Sequence, residues 1–366
     1  MKIICSRKEL FEGVQTAGRA VSARSSLPIL GHILIRTQND RIKLAATDLE
    51  IGVECSVPAN VQMDGSLTVQ AKVITEVLST LPDTEVTLSV DENNRVTLKW
   101  GTSDYEILGL PPEEFPMLPE VKDEAAFKIE KALLKKSIQQ TTFAVSQDES
   151  RASLTGILLQ LHEEGLRLVS TDTHRLCIME CEVSDIRGET QAIVPGRAMA
   201  ELQRVVEDEE GTVDVSVSQS QILFKSDDTV LISRLIEGQF PNFQKVVPQE
   251  HDRSLIIPTE QLQQSVRRAA IVARDDANRI VMRTDDAKLV ITAESSTVGK
   301  AYEEVDVARD GDDVEMAFSA RYLLDFLSVI DTEAIEMQLT GGLSPALLKP
   351  QDNENYHYVL MPMQIR

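Results

Sequence analysis

The fragment of this 366-residue chain that comes nearest to chemistry is Thr171-Asp172-Thr173-His174-Arg175. A carboxylate and an imidazole two apart on a strand share a face and can hydrogen-bond, which is the base-and-orienter half of a hydrolytic triad. No nucleophile can be identified to complete it, and a strand-end histidine used for packing or for a partner contact is the plainer reading. The other histidines, at 32, 162, 251 and 357, lie far apart and show no metal-ligand spacing. Cys177 and Cys181 would sit on one strand face but do not form a CxxC, and they read as ordinary thiols. The sequence holds no P-loop, no GxGxxG after a strand, no HExxH, no GxSxG and no EF-hand loop. The expectation is a non-enzyme that needs no cofactor and no metal.

Composition narrows the class further. Lys and Arg number 37 against 59 Asp and Glu, a formal charge of −22, with 42% apolar and 26% charged residues. That balance is globular, and its sign argues against a generic nucleic-acid binder, although not against a protein that confines positive charge to one surface. No apolar run approaches the roughly 18 residues of a membrane span, and Met1-Lys2-Ile3-Ile4-Cys5-Ser6-Arg7 lacks a signal-peptide apolar region. Four cysteines, at 5, 55, 177 and 181, are too few to staple a chain of this length. A reduced cytoplasmic protein is expected.

The elements that must position any site come in three copies. Ile42-Lys43-Leu44-Ala45-Ala46-Thr47-Asp48 resembles Leu166-Arg167-Leu168-Val169-Ser170-Thr171-Asp172 and, more loosely, Ala287-Lys288-Leu289-Val290-Ile291-Thr292-Ala293. Upstream of each lies a helical stripe: Leu10, Val14, Ala17, Val21; Leu134, Ile138, Thr141, Val145; Leu262, Val266, Ala269, Ala273. A second helix opens near Gln70-Ala71-Lys72, Pro195-Gly196-Arg197 and Ser319-Ala320-Arg321, followed by alternating runs that read as hairpins. The spacing predicts an α+β protein of three tandem similar domains, 1–122, 123–250 and 251–366, packed edge to edge.

Cations recur on the first helices despite the acidic total: Arg7, Lys8 and Arg19; Lys131, Lys135 and Lys136; Arg267, Arg268 and Arg274. Any one such set would merely solvate a helix face. Three equivalent sets point to a surface that tolerates a polyanion through phosphate contacts, without reading bases. The terminal Tyr358-Val359-Leu360-Met361-Pro362-Met363 reads as a strand broken at Pro362, with thioethers free to line an adaptable apolar pocket.

Leu27-Pro28-Ile29-Leu30-Gly31, Thr47-Asp48-Leu49-Glu50, Thr171-Asp172-Thr173-His174-Arg175-Leu176, Glu237-Gly238-Gln239-Phe240-Pro241 and the terminal run occur in this order along the three repeats. With them the chain resembles, over essentially its whole length, the bacterial replicative sliding clamp family, the beta subunits of DNA polymerase III. The resemblance implies a DNA clamp fold with two helices per domain packed on sheets, closing as a head-to-tail homodimeric ring around double-stranded DNA. Twelve helices at about 8 to 10 Å spacing would leave a bore of roughly 21 to 28 Å, wide enough for a duplex, whereas six would not. It also implies partners: the replicative polymerase catalytic subunit, an ATP-dependent clamp loader, and repair and translesion polymerases. These would dock a short peptide in a cleft walled by Leu154, Thr171, His174, Arg175, Leu176, Pro241, Val246, Val359, Met361, Pro362 and Met363, with Arg151, Tyr322 and Leu343 alongside. Arg24, Lys72 and Arg197 match DNA-facing positions. Tyr105 and Ile107 match one side of the dimer seam; Ile271, Val272, Glu303 and Glu304 match the other. Thr173 stands where the family commonly has Gly, and Asp148 where a neutral residue is common. A hydrolase using Asp172 and His174, or a repeat scaffold that binds peptides but not DNA, are the rival readings.

Overall fold

The structure is a computed structural model, and it describes residues 1–365 except 23–25, 120, 122–123, 207–209 and 342. One order of elements runs through the chain three times. Repeat one is β1 (Lys2–Ser6), α1 (Arg7–Gly18), β2 (His32–Gln38), β3 (Arg41–Thr47), β4 (Ile51–Pro58), β5 (Asn60–Met63), β6 (Ser66–Gln70), α2 (Ala71–Thr80), β7 (Glu85–Val90), β8 (Arg95–Trp100) and β9 (Ser103–Leu108). Repeat two is β10 (Ala125–Glu130), α3 (Lys131–Thr142), β11 (Gly156–His162), β12 (Gly165–Thr171), β13 (Arg175–Cys181), β14 (Ser184–Arg187), β15 (Thr190–Pro195), α4 (Gly196–Val205), β16 (Thr212–Val217), β17 (Gln221–Ser226) and β18 (Thr229–Arg234). Repeat three is β19 (Arg253–Pro258), α5 (Thr259–Ala273), β20 (Arg279–Asp285), β21 (Lys288–Ser295), β22 (Gly299–Asp306), β23 (Ala308–Asp310), β24 (Glu315–Ser319), α6 (Ala320–Leu327), β25 (Ala334–Leu339), β26 (Ala346–Pro350) and β27 (Tyr356–Leu360).

The helical stripes do bury. Leu262, Val266, Ala269 and Ala273 of α5 are fully covered, as are Leu10, Val14 and Ala17 of α1. Each such aliphatic side chain larger than alanine contributes about 1.5–3 kcal/mol by leaving water. Val21 and Val145 fall beyond the helix ends, because α1 stops at Gly18 and α3 at Thr142. Gly13 is required where α1 crosses β4: a Cβ there would meet Val57 Cγ2 at 2.6 Å. A strand before the first helix of each repeat was not anticipated; β1, β10 and β19 are short and irregular in pattern.

The chain clusters into two compact units. The first comprises Met1–Ala132, Ser184–Gly188 and Arg197–Leu235, and holds a five-stranded sheet, β5-β1-β7-β8-β9, and a nine-stranded one, β14-β10-β16-β17-β18-β4-β3-β2-β6. The second comprises Leu133–Val183, Glu189–Gly196 and Ile236–Arg366, with a nine-stranded sheet, β15-β11-β12-β13-β27-β26-β25-β19-β23, and a four-stranded one, β22-β21-β20-β24. Each nine-stranded sheet contains strands of two repeats. In the first, β18 pairs antiparallel with β4, Leu231 opposite Val53; in the second, β27 pairs with β13, Tyr358 opposite Cys177. Ladder hydrogen bonds thus run from one repeat into the next.

Candidate functional site

The turn between β12 and β13 is held by its own side chains. Thr171 Oγ1 donates to the Arg175 carbonyl at 2.6 Å and accepts the Thr173 N–H at 3.1 Å. Asp172 Oδ1 accepts the N–H groups of His174 and Arg175 at 2.9 and 3.1 Å, and its Oδ2 accepts Arg175 Nε at 3.0 Å. Such local bonds compete with strand pairing, so Asp172 and His174 lie in the turn and not on a common strand face. With both its oxygens engaged this way, Asp172 acts as a turn-former. Thr173 takes φ 78°, the left-handed region that glycine adopts freely and a β-branched residue does not. Arg151 Nη1 donates to its hydroxyl at 3.2 Å and helps to hold it. Repeat one has the same turn, with Leu49 at φ 78° and Asp48 Oδ1 accepting the N–H groups of Glu50 and Ile51.

Arg175 points inward rather than into a cleft. It is 5% exposed, and its guanidinium donates to Asp172, to Asp325 Oδ2 at 2.5 Å and to the Phe143 carbonyl at 2.6 Å. Its carbon lies 4.4 Å from the Tyr322 ring centre and 5.3 Å from that of Phe143. Burial works against its charge, but the carboxylates of Asp325 and Asp172 outweigh that and hold the guanidinium protonated. The desolvated cation–π contact, worth about 2 kcal/mol, anchors Tyr322.

Tyr322 in turn lines a crevice of about 220 Å³ with His174, Asn278, Ser319, Met361 and Met363, and with Ala277, Arg321 and Pro362 at the same opening. The His174 and Tyr322 rings stack at 6.2 Å. Met361 N–H donates to the His174 carbonyl at 3.0 Å, and Met363 N–H to that of Ala317 at 2.7 Å, so the chain beyond β27 is pinned on both sides of Pro362. Leu154, Leu176 and Val359 join an apolar cluster with Leu158, Phe240 and Phe243. Val246 is half-exposed, Pro241 exposed, and Leu343 is exposed in the turn before β26. Asn278 and Ala277, at φ 58° and 53°, escaped the sequence reading; an Asn before a strand, which tolerates that conformation, was the signal. Thioethers, ring faces and an apolar floor suit an inserted apolar side chain, not bond making. Among the described residues no group of three or more His, Cys, Asp or Glu is placed to hold a metal. Burial pushes the thiols of Cys5, Cys55 and Cys177 up to about 12, and that of Cys181 to about 11.

The helix cations divide in a way the sequence did not reveal. Lys131 is 3% exposed, its ammonium 2.5 Å from Asp227, and so belongs to the interior instead of a helix face. Arg197 pairs with Asp48 at 2.5 Å, Lys136 with Asp331 at 2.9 Å, and Arg268 with Glu303. Lys72 is open to solvent, 3.9 Å from Glu76. Arg24 lies outside the described residues. At the sheet ends, Tyr105 on β9 is half-exposed and stacks on Trp100, while Ile107 is already buried within its own sheet. Ile271 on α5 is exposed and Val272 partly so. On β22, Glu303 takes two hydrogen bonds from Arg268, and Glu304 is bound by Lys288 and the Tyr302 hydroxyl.

No described helix is long and apolar enough to cross a membrane. Residues 1–119, 128–242 and 244–364 match, in order, the N-terminal, central and C-terminal domains of the DNA polymerase III beta subunit. A beta sliding clamp of Halalkalibacterium halodurans is 30% identical over 378 aligned positions, with both chains covered in full. The solved DNA polymerase sliding clamp of Bacillus subtilis superposes with a TM-score of 0.96 at 28% identity, and the DNA polymerase III subunit beta of Pseudomonas aeruginosa with 0.95 at 30%, each over the whole of both chains. With three consecutive domain matches and full-length likeness in sequence and fold, the chain belongs to the DNA polymerase III beta subunit family.

Proposed function

We propose that this chain is a processivity factor of DNA replication: a homodimeric sliding clamp that encloses duplex DNA, slides without reading sequence, and tethers polymerases through the crevice beside Tyr322. The full-length likeness to proteins named beta sliding clamp carries this reading. Retention would come from closure, so the cations need only ease a polyanion past. Many weak phosphate contacts allow movement where base contacts would arrest it. That so many of the helix cations are held by acids of the same chain is consistent with weak contacts.

The three domains would span 1–122, 123–250 and 251–366; residue 122 itself lies outside the described residues. The protein would work in the cytoplasm as a binding protein without catalysis, opened by an ATP-dependent loader and shared by the replicative polymerase catalytic subunit and by repair and translesion polymerases. Its seam would set Tyr105 and Ile107 of one copy against Ile271, Val272, Glu303 and Glu304 of the next. Loading on nicked circular DNA followed by linearisation tests enclosure: the protein runs off the ends if it is a topological tether and stays, subject only to salt, if it binds the surface. Val272→Asp places an unpaired carboxylate in the seam and should give monomers by sedimentation; an unaltered dimer would remove that seam.

A further inference from the structure

Most cations of the first helices are spent inside the chain. Lys131 is buried against Asp227, Lys136 donates to Asp331 at 2.9 Å, and Arg268 donates twice to Glu303. Arg7 Nε donates to the Pro82 carbonyl, while Arg19 and Lys8 stand 3.8 and 4.0 Å from Glu201 and Glu12. Two arginines of the third repeat differ. Arg267 in α5 and Arg274 at its C-terminal end are exposed, and among the described residues neither makes an ion pair or a side-chain hydrogen bond.

Their spacing makes them one feature. Seven residues are two helical turns, so the pair shares a side of α5, about 10 Å apart along the axis and turned away from the buried Leu262, Val266, Ala269 and Ala273. The positions one turn from Arg267 hold Gln263, Gln264, Ala270 and Ile271. None is acidic. Beside Arg274, Asp275 accepts the Thr297 hydroxyl at 2.8 Å and Asp276 is taken by Arg279. On a molecule of net charge −22, α5 thus keeps two guanidiniums that no neighbouring carboxylate neutralises.

We propose that Arg267 and Arg274 form a phosphate-binding stripe on α5, which holds a duplex inside the ring more firmly than the ion-paired cations of α1 and α3 do. The inference rests on the enclosure proposed above and adds where the duplex is gripped. A tied cation must release a carboxylate before it takes a phosphate, an exchange of like for like; a free guanidinium gives up only water and presents a planar fork that fits two phosphate oxygens. The two act separately, because a Debye length of about 8 Å at physiological salt is shorter than their spacing.

The salt dependence of binding to a short duplex of random sequence tests the stripe, read as the slope of log Kd against log salt concentration. Each phosphate contact contributes about 0.9, so Arg267→Gln with Arg274→Gln should lower the slope by roughly two to four in a ring of two copies. Both arginines are exposed, and this variant should melt and sediment like the unmodified protein. Arg267→Lys with Arg274→Lys keeps the charges and should retain most of the slope. Two controls should move it by less than about half a unit. Arg36→Gln with Lys225→Gln removes as much charge from exposed strand positions, and Lys136→Gln with Asp331→Asn deletes a tied pair. A drop of equal size in either control, or none in the α5 variant, would overturn the stripe; enclosure would still stand if the unmodified protein runs off linearised circles. An unmodified protein that stays on them sinks enclosure, and with it any grip inside a ring.

Discussion

Where β27 meets β13, Tyr356 and Tyr358 are fully buried, and Phe326 stacks on them at 6.0 and 4.8 Å. Where β18 meets β4, the corresponding residues are Thr229, opposite Cys55, and Leu231, opposite Val53. The backbone pairing is the same, and the filling is not. Tyr356 spans the first joint and donates its hydroxyl to the Gln140 carbonyl at 2.7 Å. Beside the smaller Thr229 a crevice of about 360 Å³ opens, lined by Glu9, Glu12, Arg41, Lys131, Asp227 and Asp228. That joint is laced with ion pairs, Lys131 to Asp227, Arg41 to Asp228 and Arg197 to Asp48. The two joints thus share one backbone ladder and one register, while their strength depends on what the facing side chains bury.

The sharpest way to break the contrast is at Arg175. Its removal in Arg175→Ala strips Asp172 and Asp325 of their partner inside the aromatic joint, and should cost about 3–5 kcal/mol in urea unfolding. It should also free Tyr322 and weaken binding of a partner peptide. Tyr356→Thr gives the aromatic joint the residue of the ionic one; a loss of about 3 kcal/mol is expected, read as a fall in Tm, because an emptied aromatic site cannot collapse fully. A change within experimental error would mean that the two joints are equally filled. Arg197→Ala removes an ion pair whose arginine is half-exposed but whose Asp48 carboxylate is buried and keeps its bonds from the Glu50 and Ile51 N–H groups, and should cost about 1–2 kcal/mol, only part of it lost at high salt.

The smallest effect concerns acid. Lys136 donates to Asp331 and holds its carboxyl below the ordinary range in the folded chain. The stabilisation is present above the unfolded value of about 3.9 and is lost as pH falls through the folded one. Lys136→Met should therefore flatten the dependence of stability on pH below about pH 4 and leave it unaltered at pH 7; an unchanged acid limb would show the pair to be idle.

Much of this was legible in the residues. Leu44, Leu168 and Leu289 identify the repeat because a buried strand must repeat its apolar positions, and the stripe from Leu262 to Ala273 identifies α5 because its period matches a helix. The end of β27 before Pro362 was legible for a similar local reason, and Met361 and Met363 line the crevice beside Tyr322. Arg175 was not. Its place as a buried, doubly paired cation depends on Phe143, Tyr322 and Asp325, of which Tyr322 and Asp325 are well over a hundred residues away. Nor was Lys131, which reads as one more helix cation until Asp227 of a distant hairpin closes over it.

By itself the sequence determined the threefold plan, the α+β class and where most helices open, because each of these follows from periodicity, whereas it read Thr171–Arg175 as strand and the structure makes a turn of it. Which strand edges mate, which cations are neutralised and where the crevice beside Tyr322 opens were decided only by the tertiary structure. These depend on contacts between groups remote in the chain, whose energies arise when folding removes them from water together.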